Sequence, residues 1–513
     1  MSRSQAFLER LERASDRLSP IVVKEVRQLA RGREFHYAFS AALLIGLAVA
    51  FFGAADALTG NGTSGRWTFS ALTGVLALLG LVVVPLGAFN ALRNERLEQT
   101  FELITLTALS PRRVVIGKLL AQGVKLATLF AGLAPFIAMS FLLGGIDFAT
   151  ILVSMLVIFM WSLCASAACL FLSSLVKSRA VSGFVFGGIG IVMLLGTIVF
   201  GVPRAIYFLM MRGPVAVSVG GGMGVGGSTS WWTVAISTTF CVSLIVNLVL
   251  LAENRLSLPS ENRSTALRLG FFGQLLLMVG WALSFLTDPG SRPGAGAALL
   301  VCGAVHLAIV ATFTVTEDLV LPRRALLARK DLPRWRQVIA PLQPGGGNGA
   351  LYVLLQMALL LLAGWVLRPL DQMLFWFVIA CGYICFFTGV HVVVFRAIRP
   401  YQAASFQLRA AVLVLLALAM VLPDILAYML WQPDGLDLRF SIRHLLNPFR
   451  TLANFRLVAA SYIALPVAFG LTGALAYAVL VRIGASVMFD PVPIAQEESD
   501  SAAGEPGRAN VLY

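Results

Sequence analysis

Apolar positions along this chain gather into repeated stretches of about twenty residues, separated by short polar segments. About twenty residues at 1.5 Å each is the length a helix needs to cross a hydrocarbon core of about 30 Å. The pattern predicts twelve such spans, near 36–56, 68–92, 119–143, 148–176, 180–202, 232–252, 267–287, 295–315, 349–367, 373–395, 408–431 and 458–481. Several carry Gly or Pro, among them Pro85, Pro135 and the series Gly183, Gly187, Gly188 and Gly190, which membrane helices tolerate. The expected fold class is therefore all-α, a polytopic helical bundle in a lipid bilayer.

Composition agrees with the pattern. Of 513 residues, 58% are hydrophobic and only 12% charged, where a soluble chain carries about 25% charged residues. The net charge of +14 raises the question of nucleic acid, but the basic residues sit in short loops between apolar spans. No basic run is interleaved with exposed aromatics, so nucleic acid is excluded as a partner. With the N-terminus in the cytoplasm, Lys and Arg favour the cytoplasmic side by about three to one, the bias of the positive-inside rule. An even number of spans then places both termini there. The exception is the outside segment Asp434 to Arg456, with Arg439, Arg443, Arg450 and Arg456; if it is cytoplasmic, one span nearby is miscounted. The expected divisions are a cytoplasmic leader at 1–35, membrane units at 36–252 and 253–487, and a disordered tail at 488–513 rich in Pro, Ser, Glu and Asp. No sequence identity relates the two halves.

Little in the chain suggests catalysis. Cys164, Cys169, Cys241, Cys302, Cys381 and Cys385 all fall inside apolar stretches, so neither a disulfide framework nor a metal site is expected. The four histidines form no cluster. The nearest approach to a nucleotide-binding loop, Val115-Ile116-Gly117-Lys118-Leu119, lacks the upstream Gly and the hydroxyl residue that would reach Mg²⁺. No cofactor site is expected, and the chain is not expected to be an enzyme. Ionisable groups inside a membrane usually mark function. Here they reduce to Lys125, within snorkelling reach of the cytoplasmic interface, and Asp424, near the outer end of the eleventh span. Residues 1–32 lack the apolar core of a cleavable signal peptide.

Two cytoplasmic segments carry the information. In the leader, Phe7, Leu8, Leu11 and Leu18 make an apolar stripe; after Pro20 a second amphipathic stretch contains Lys24, Glu25 and Arg27. Such a helix is expected along the membrane surface. The second segment runs from Glu95 to Arg113. Leu97, Phe101, Ile104 and Ala108 line one face, Glu95, Glu98 and Glu102 another, and Pro111 breaks the helix ahead of Arg112 and Arg113. An acidic cytoplasmic helix runs against the local basic bias, and a protein partner is a reason to keep it.

This second segment resembles the permease subunits of ABC-2 type transporters, which carry between their second and third spans a helix like E-R-x-x-G-T-L-E-x-L, then a Pro and R-x-x-x-x-G-K. The matching positions are Glu95, Arg96, Thr100, Glu102, Pro111, Arg113, Gly117 and Lys118; Gln99 and Phe101 stand where the family prefers Gly and Leu. Lys24-Glu25-Val26-Arg27 is similar to the family's K-E-L/V-R element, and Leu446-Asn447-Pro448-Phe449 to its Asn-Pro in the final outside loop. The resemblance covers about half the chain, spans one to six. It implies a multi-pass subunit of the bacterial cytoplasmic membrane that exports a substrate, its helix 95–109 docked on a separate ATPase chain. Beyond that ATPase and the bilayer, a homodimer or another permease subunit remain open as partners. Two other readings stand beside it, a secondary transporter and a scaffold or assembly subunit that moves nothing.

Overall fold

The computed structural model describes residues 20–59, 64–98, 110–144, 146–176, 179–196, 231–257, 262–317, 341–369, 372–398, 408–419, 445, 447–454, 458 and 463–489. Every regular element among them is helical. Thr100, Phe101 and Glu102, the stripe of residues 7–18, Asp424 and residues 490–513 of the tail lie outside the described residues.

In order, the elements are α1 (Pro20–Arg31), α2 (Arg33–Leu58), α3 (Ser64–Leu97), α4 (Pro111–Leu142), α5 (Phe148–Leu175), α6 (Arg179–Gly196), α7 (Trp231–Leu256) and α8 (Ser264–Leu283). They continue with α9 (Arg292–Thr314), α10 (Gly346–Leu367), α11 (Met373–Ala397), α12 (Leu408–Ala419), α13 (Pro448–Ala453) and α14 (Ala464–Phe489). Ten are long and apolar enough to cross a membrane, and two shorter apolar helices, Val185–Leu194 and Leu408–Ala419, stand where the fifth and eleventh spans are expected. The chain is an all-α, multi-pass membrane protein. It divides into two compact units, Met1–Trp281 and Ala282–Tyr513; the seventh expected span, α8, falls almost wholly with the first.

In the first unit α4 is the hub, packed against α1, α2, α3, α5 and α7. Its apolar contacts form two clusters along the helix axes. One joins Phe69, Leu72 and Leu76 of α3 to Leu126, Leu129 and Leu133 of α4. The other joins Ala88, Phe89 and Leu92 of α3 to Val114 and Val115 of α4, Leu170 of α5 and Val249 of α7. Between them α3 widens into a π segment, Leu79–Val83.

In the second unit α10 packs against α9 and α14, and α11 against α9 and α14. Lipid tails are as apolar as Leu, so close backbone approach has to supply the attraction between membrane helices. Gly473 of α14 illustrates it: a Cβ there would stand 2.5 Å from the Phe386 N and 2.7 Å from the Cys385 carbonyl carbon of α11. This helix has a π segment too, Phe386–Val390.

Segments that the charge bias groups on one side also meet at one end of each unit. In the second unit Arg292 donates to the Val366 and Leu367 carbonyls at one end. At the other, Arg396 donates to the Glu317 carbonyl, Arg409 to the Thr316 hydroxyl and the Phe313 carbonyl, and the Gly345 N–H to the Glu317 carboxylate at 3.1 Å. The ambiguous segment before α14 lies against the Met373 end of α11. There Trp376 Nε1 donates to the Leu452 carbonyl and the Tyr383 hydroxyl to the Leu445 carbonyl. Asn447 is the N-cap of α13, accepting from the Phe449 and Arg450 N–H groups, with Pro448 in the first turn. Asn-Pro is thus a helix start, the Asn supplying an acceptor and the Pro lacking a donor that would go unmet.

Candidate functional site

The residues marked in the two informative segments converge at the end of the first unit where α1, the Leu97 end of α3 and the Pro111 end of α4 meet, its basic end. The leader helix α1 begins at Pro20 and is separated from α2 by Gly32 in an extended conformation. It packs on α4, burying Val22 and Glu25 and leaving Lys24 and Arg27 exposed.

The acidic segment differs from expectation at its start. Glu95 and Arg96 form the last turn of α3, which runs on to Leu97 with Glu98 as its C-cap, the Glu98 N–H still donating to the Asn94 carbonyl at 3.0 Å. Nothing in Ala91-Leu92-Arg93-Asn94-Glu95-Arg96-Leu97 breaks a helix, so α3 continues through Leu97. Pro111 opens α4 as its first residue, after Ser110 in extended conformation; its fixed φ and missing N–H suit that place. Arg113 is exposed, and Gly117 and Lys118 are buried two turns into α4.

Lys118 is the centre of the site. Its side chain is 1% exposed, and its ammonium lies 2.7 Å from Glu25 Oε1, 3.0 Å from Glu95 Oε1 and 3.3 Å from the Ala91 carbonyl. An ammonium has three N–H donors, and each finds an acceptor here. Lys24 Nζ also reaches Glu95 Oε1, at 3.3 Å. Two lysines and two carboxylates therefore make a neutral quartet spanning α1, α3 and α4. Removing one partner from a buried pair leaves an uncompensated charge, a loss of about 3–5 kcal/mol. Beside the quartet, Arg96 donates to the Ser174 carbonyl at the end of α5, where a cation also suits the helix dipole. Arg112 and Glu253 of α7, 3.9 Å apart and part-exposed, form a surface pair worth about 0–1 kcal/mol.

Lys125 continues the face of Lys118 about 10 Å deeper. Its ammonium sits 5.8 Å from the Phe35 ring centroid and against Gly87, where a Cβ would stand 3.2 Å away. No known protein family, characterised protein or solved structure matches the chain. The site is thus read from its own geometry.

Polar pairings between the membrane helices were not anticipated, among them the following. Asn247 of α7 donates to Gln274 of α8 at 2.8 Å, His306 Nε2 of α9 lies 3.2 Å from Gln356 Oε1 of α10, and the Tyr477 hydroxyl of α14 lies 2.8 Å from Thr388 Oγ1 of α11. Each residue sits singly in an apolar stretch, and nothing in the local pattern says which helix supplies its partner. All six cysteines are free thiols, five buried and Cys302 exposed. Cys385 Sγ lies 4.0 Å from Met357 Sδ, a packing contact between soft side chains.

Proposed function

We propose that this chain is the membrane-spanning permease subunit of an ATP-driven transporter of the ABC-2 kind, in a bacterial cytoplasmic membrane, with twelve spans and both termini in the cytoplasm. ATP hydrolysis belongs to a separate ATPase chain, and the segment from Glu95 through Glu98 and Glu102 to Pro111 is the part that chain grips. Closure of the ATPase on ATP then rocks the spans between two states and exports the substrate. One observation carries this reading: the Lys24-Glu25, Glu95 and Gly117-Lys118 elements, far apart in sequence, meet in one ionic quartet centred on the buried Lys118. Both flanks of 99–109 are thereby held rigidly, as a segment that takes a mechanical load requires.

The test is affinity purification of the tagged chain from its native membrane, with mass spectrometry and an ATPase assay. An ATP-hydrolysing partner is expected, and reversal of Glu98 and Glu102 to Lys should uncouple hydrolysis from transport while the chain stays folded. A chain that purifies alone without hydrolysis overturns the reading in favour of a scaffold or assembly subunit. His306 favours a second reading, a secondary transporter, because an ionisable group buried inside a membrane helix is a candidate ion or proton site. Proton flux without ATP that is lost in His306→Phe would establish it.

A further inference from the structure

We propose that Lys118 is a positioning residue for the leader: it fixes α1 to the membrane unit, so that α1 and both flanks of 99–109 move as one body. Gly32 interrupts the backbone between α1 and α2, so the first span does not by itself orient α1. Lateral ties must do that. The buried Val22 contact is apolar and non-directional. The polar ties between α1 and its neighbours run through Glu25 and Glu95, the two carboxylates that the Lys118 ammonium bridges.

The arrangement also sets register. Sliding α1 by one residue would bring Lys24 or Val26 to the Lys118 ammonium, a like charge or no charge in a buried site. Such a mismatch selects one docking position more sharply than an apolar contact does. The same ammonium joins Glu95, before 99–109, to its own position after it, closing that stretch at its base. The consequence for ATP coupling rests on the permease reading; the positioning of α1 does not.

The experiment uses the full chain in lipid nanodiscs, with Cys302→Ser removing the exposed native thiol and a spin label at Gln28→Cys, an exposed position on α1. A restricted spectrum is expected for the parent. Lys118→Met should convert most of the signal to a mobile component. Lys118→Arg, which keeps a cation between Glu25 and Glu95, should stay close to the parent, a retention that a merely apolar packing role would not produce. An unchanged spectrum in Lys118→Met, or a mobile one in Lys118→Arg, overturns the proposal. If Lys118→Met does not fold, Glu25→Gln is read in its place against the same two outcomes. With an ATPase partner in hand, a mobile leader together with intact coupling would count against the permease reading while leaving the positioning role in place.

Discussion

Helices α3 and α11 share a plan and reach it by different means. Each crosses the membrane with a five-residue π segment, Leu79–Val83 in one and Phe386–Val390 in the other. In α3 a local cause stands beside the close packing of Gly80 on Ser162, where a Cβ would stand 2.5 Å from Oγ. Pro85 follows the π segment, and a proline within a helix has no N–H to give and crowds the carbonyl four residues earlier, here Leu81. Widening the turn relieves both. The π segment of α11 contains no proline. There Gly389 lies against the Tyr477 ring, where a Cβ would stand 2.6 Å from Cδ2. The Thr388 hydroxyl donates back to the Ile384 carbonyl at 2.6 Å, leaving its oxygen to accept from the Tyr477 hydroxyl. A neighbouring helix holds this distortion. The same contrast recurs at the helix ends: α3 finishes in one carboxylate, Glu95, shared by Lys24 and Lys118, whereas α11 finishes with Arg396 donating to a backbone carbonyl. One end depends on a balance of opposite charges and the other on a charge-assisted bond to the backbone.

The contrast at the ends predicts the largest effect. Lys118→Met should cost about 3–5 kcal/mol, whereas Arg396→Met, losing the charge-assisted bond to the Glu317 carbonyl, should cost about 1.5–3 kcal/mol. Thermal unfolding of the purified chain measures both, and equal losses would erase the distinction. Gly389→Leu comes next: a side chain forced against Tyr477 should destabilise the second unit by about 1–3 kcal/mol. A neutral result would mean that α14 can withdraw and does not hold the π segment. Tyr477→Phe removes only the hydroxyl and should cost about 1 kcal/mol, with Thr388 left bonded to Ile384 alone. Pro85→Ala should change stability least, within about 0.5 kcal/mol, because the relaxed turn regains a backbone bond as it loses its packing. Its effect is read in shape: spin labels at the two ends of α3 should report a changed spacing as the π segment contracts to α. If the spacing stays put, α3 too is shaped by its neighbours, and the two helices cease to differ in origin.

The sequence by itself determined that the chain is helical and crosses a bilayer many times, because stretches of about twenty apolar residues have only one stable conformation in lipid, with every backbone bond satisfied within the segment. It also marked the residues of the candidate site, since Lys24, Glu25, Glu95 and Lys118 fall in the two polar segments that interrupt the apolar pattern. Local chemistry went further at Pro85, Pro111 and Asn447-Pro448, where a missing N–H or a capping side chain acts within a few residues. Only the tertiary structure decided that Glu25, Glu95 and Lys118 pair, that α1 packs against α4, and that Tyr477 meets Thr388. A buried charge must find its partner wherever the fold provides one, and Glu25 and Lys118 are 93 residues apart. Periodicity describes the face a helix presents, while the identity of what meets that face is set by packing.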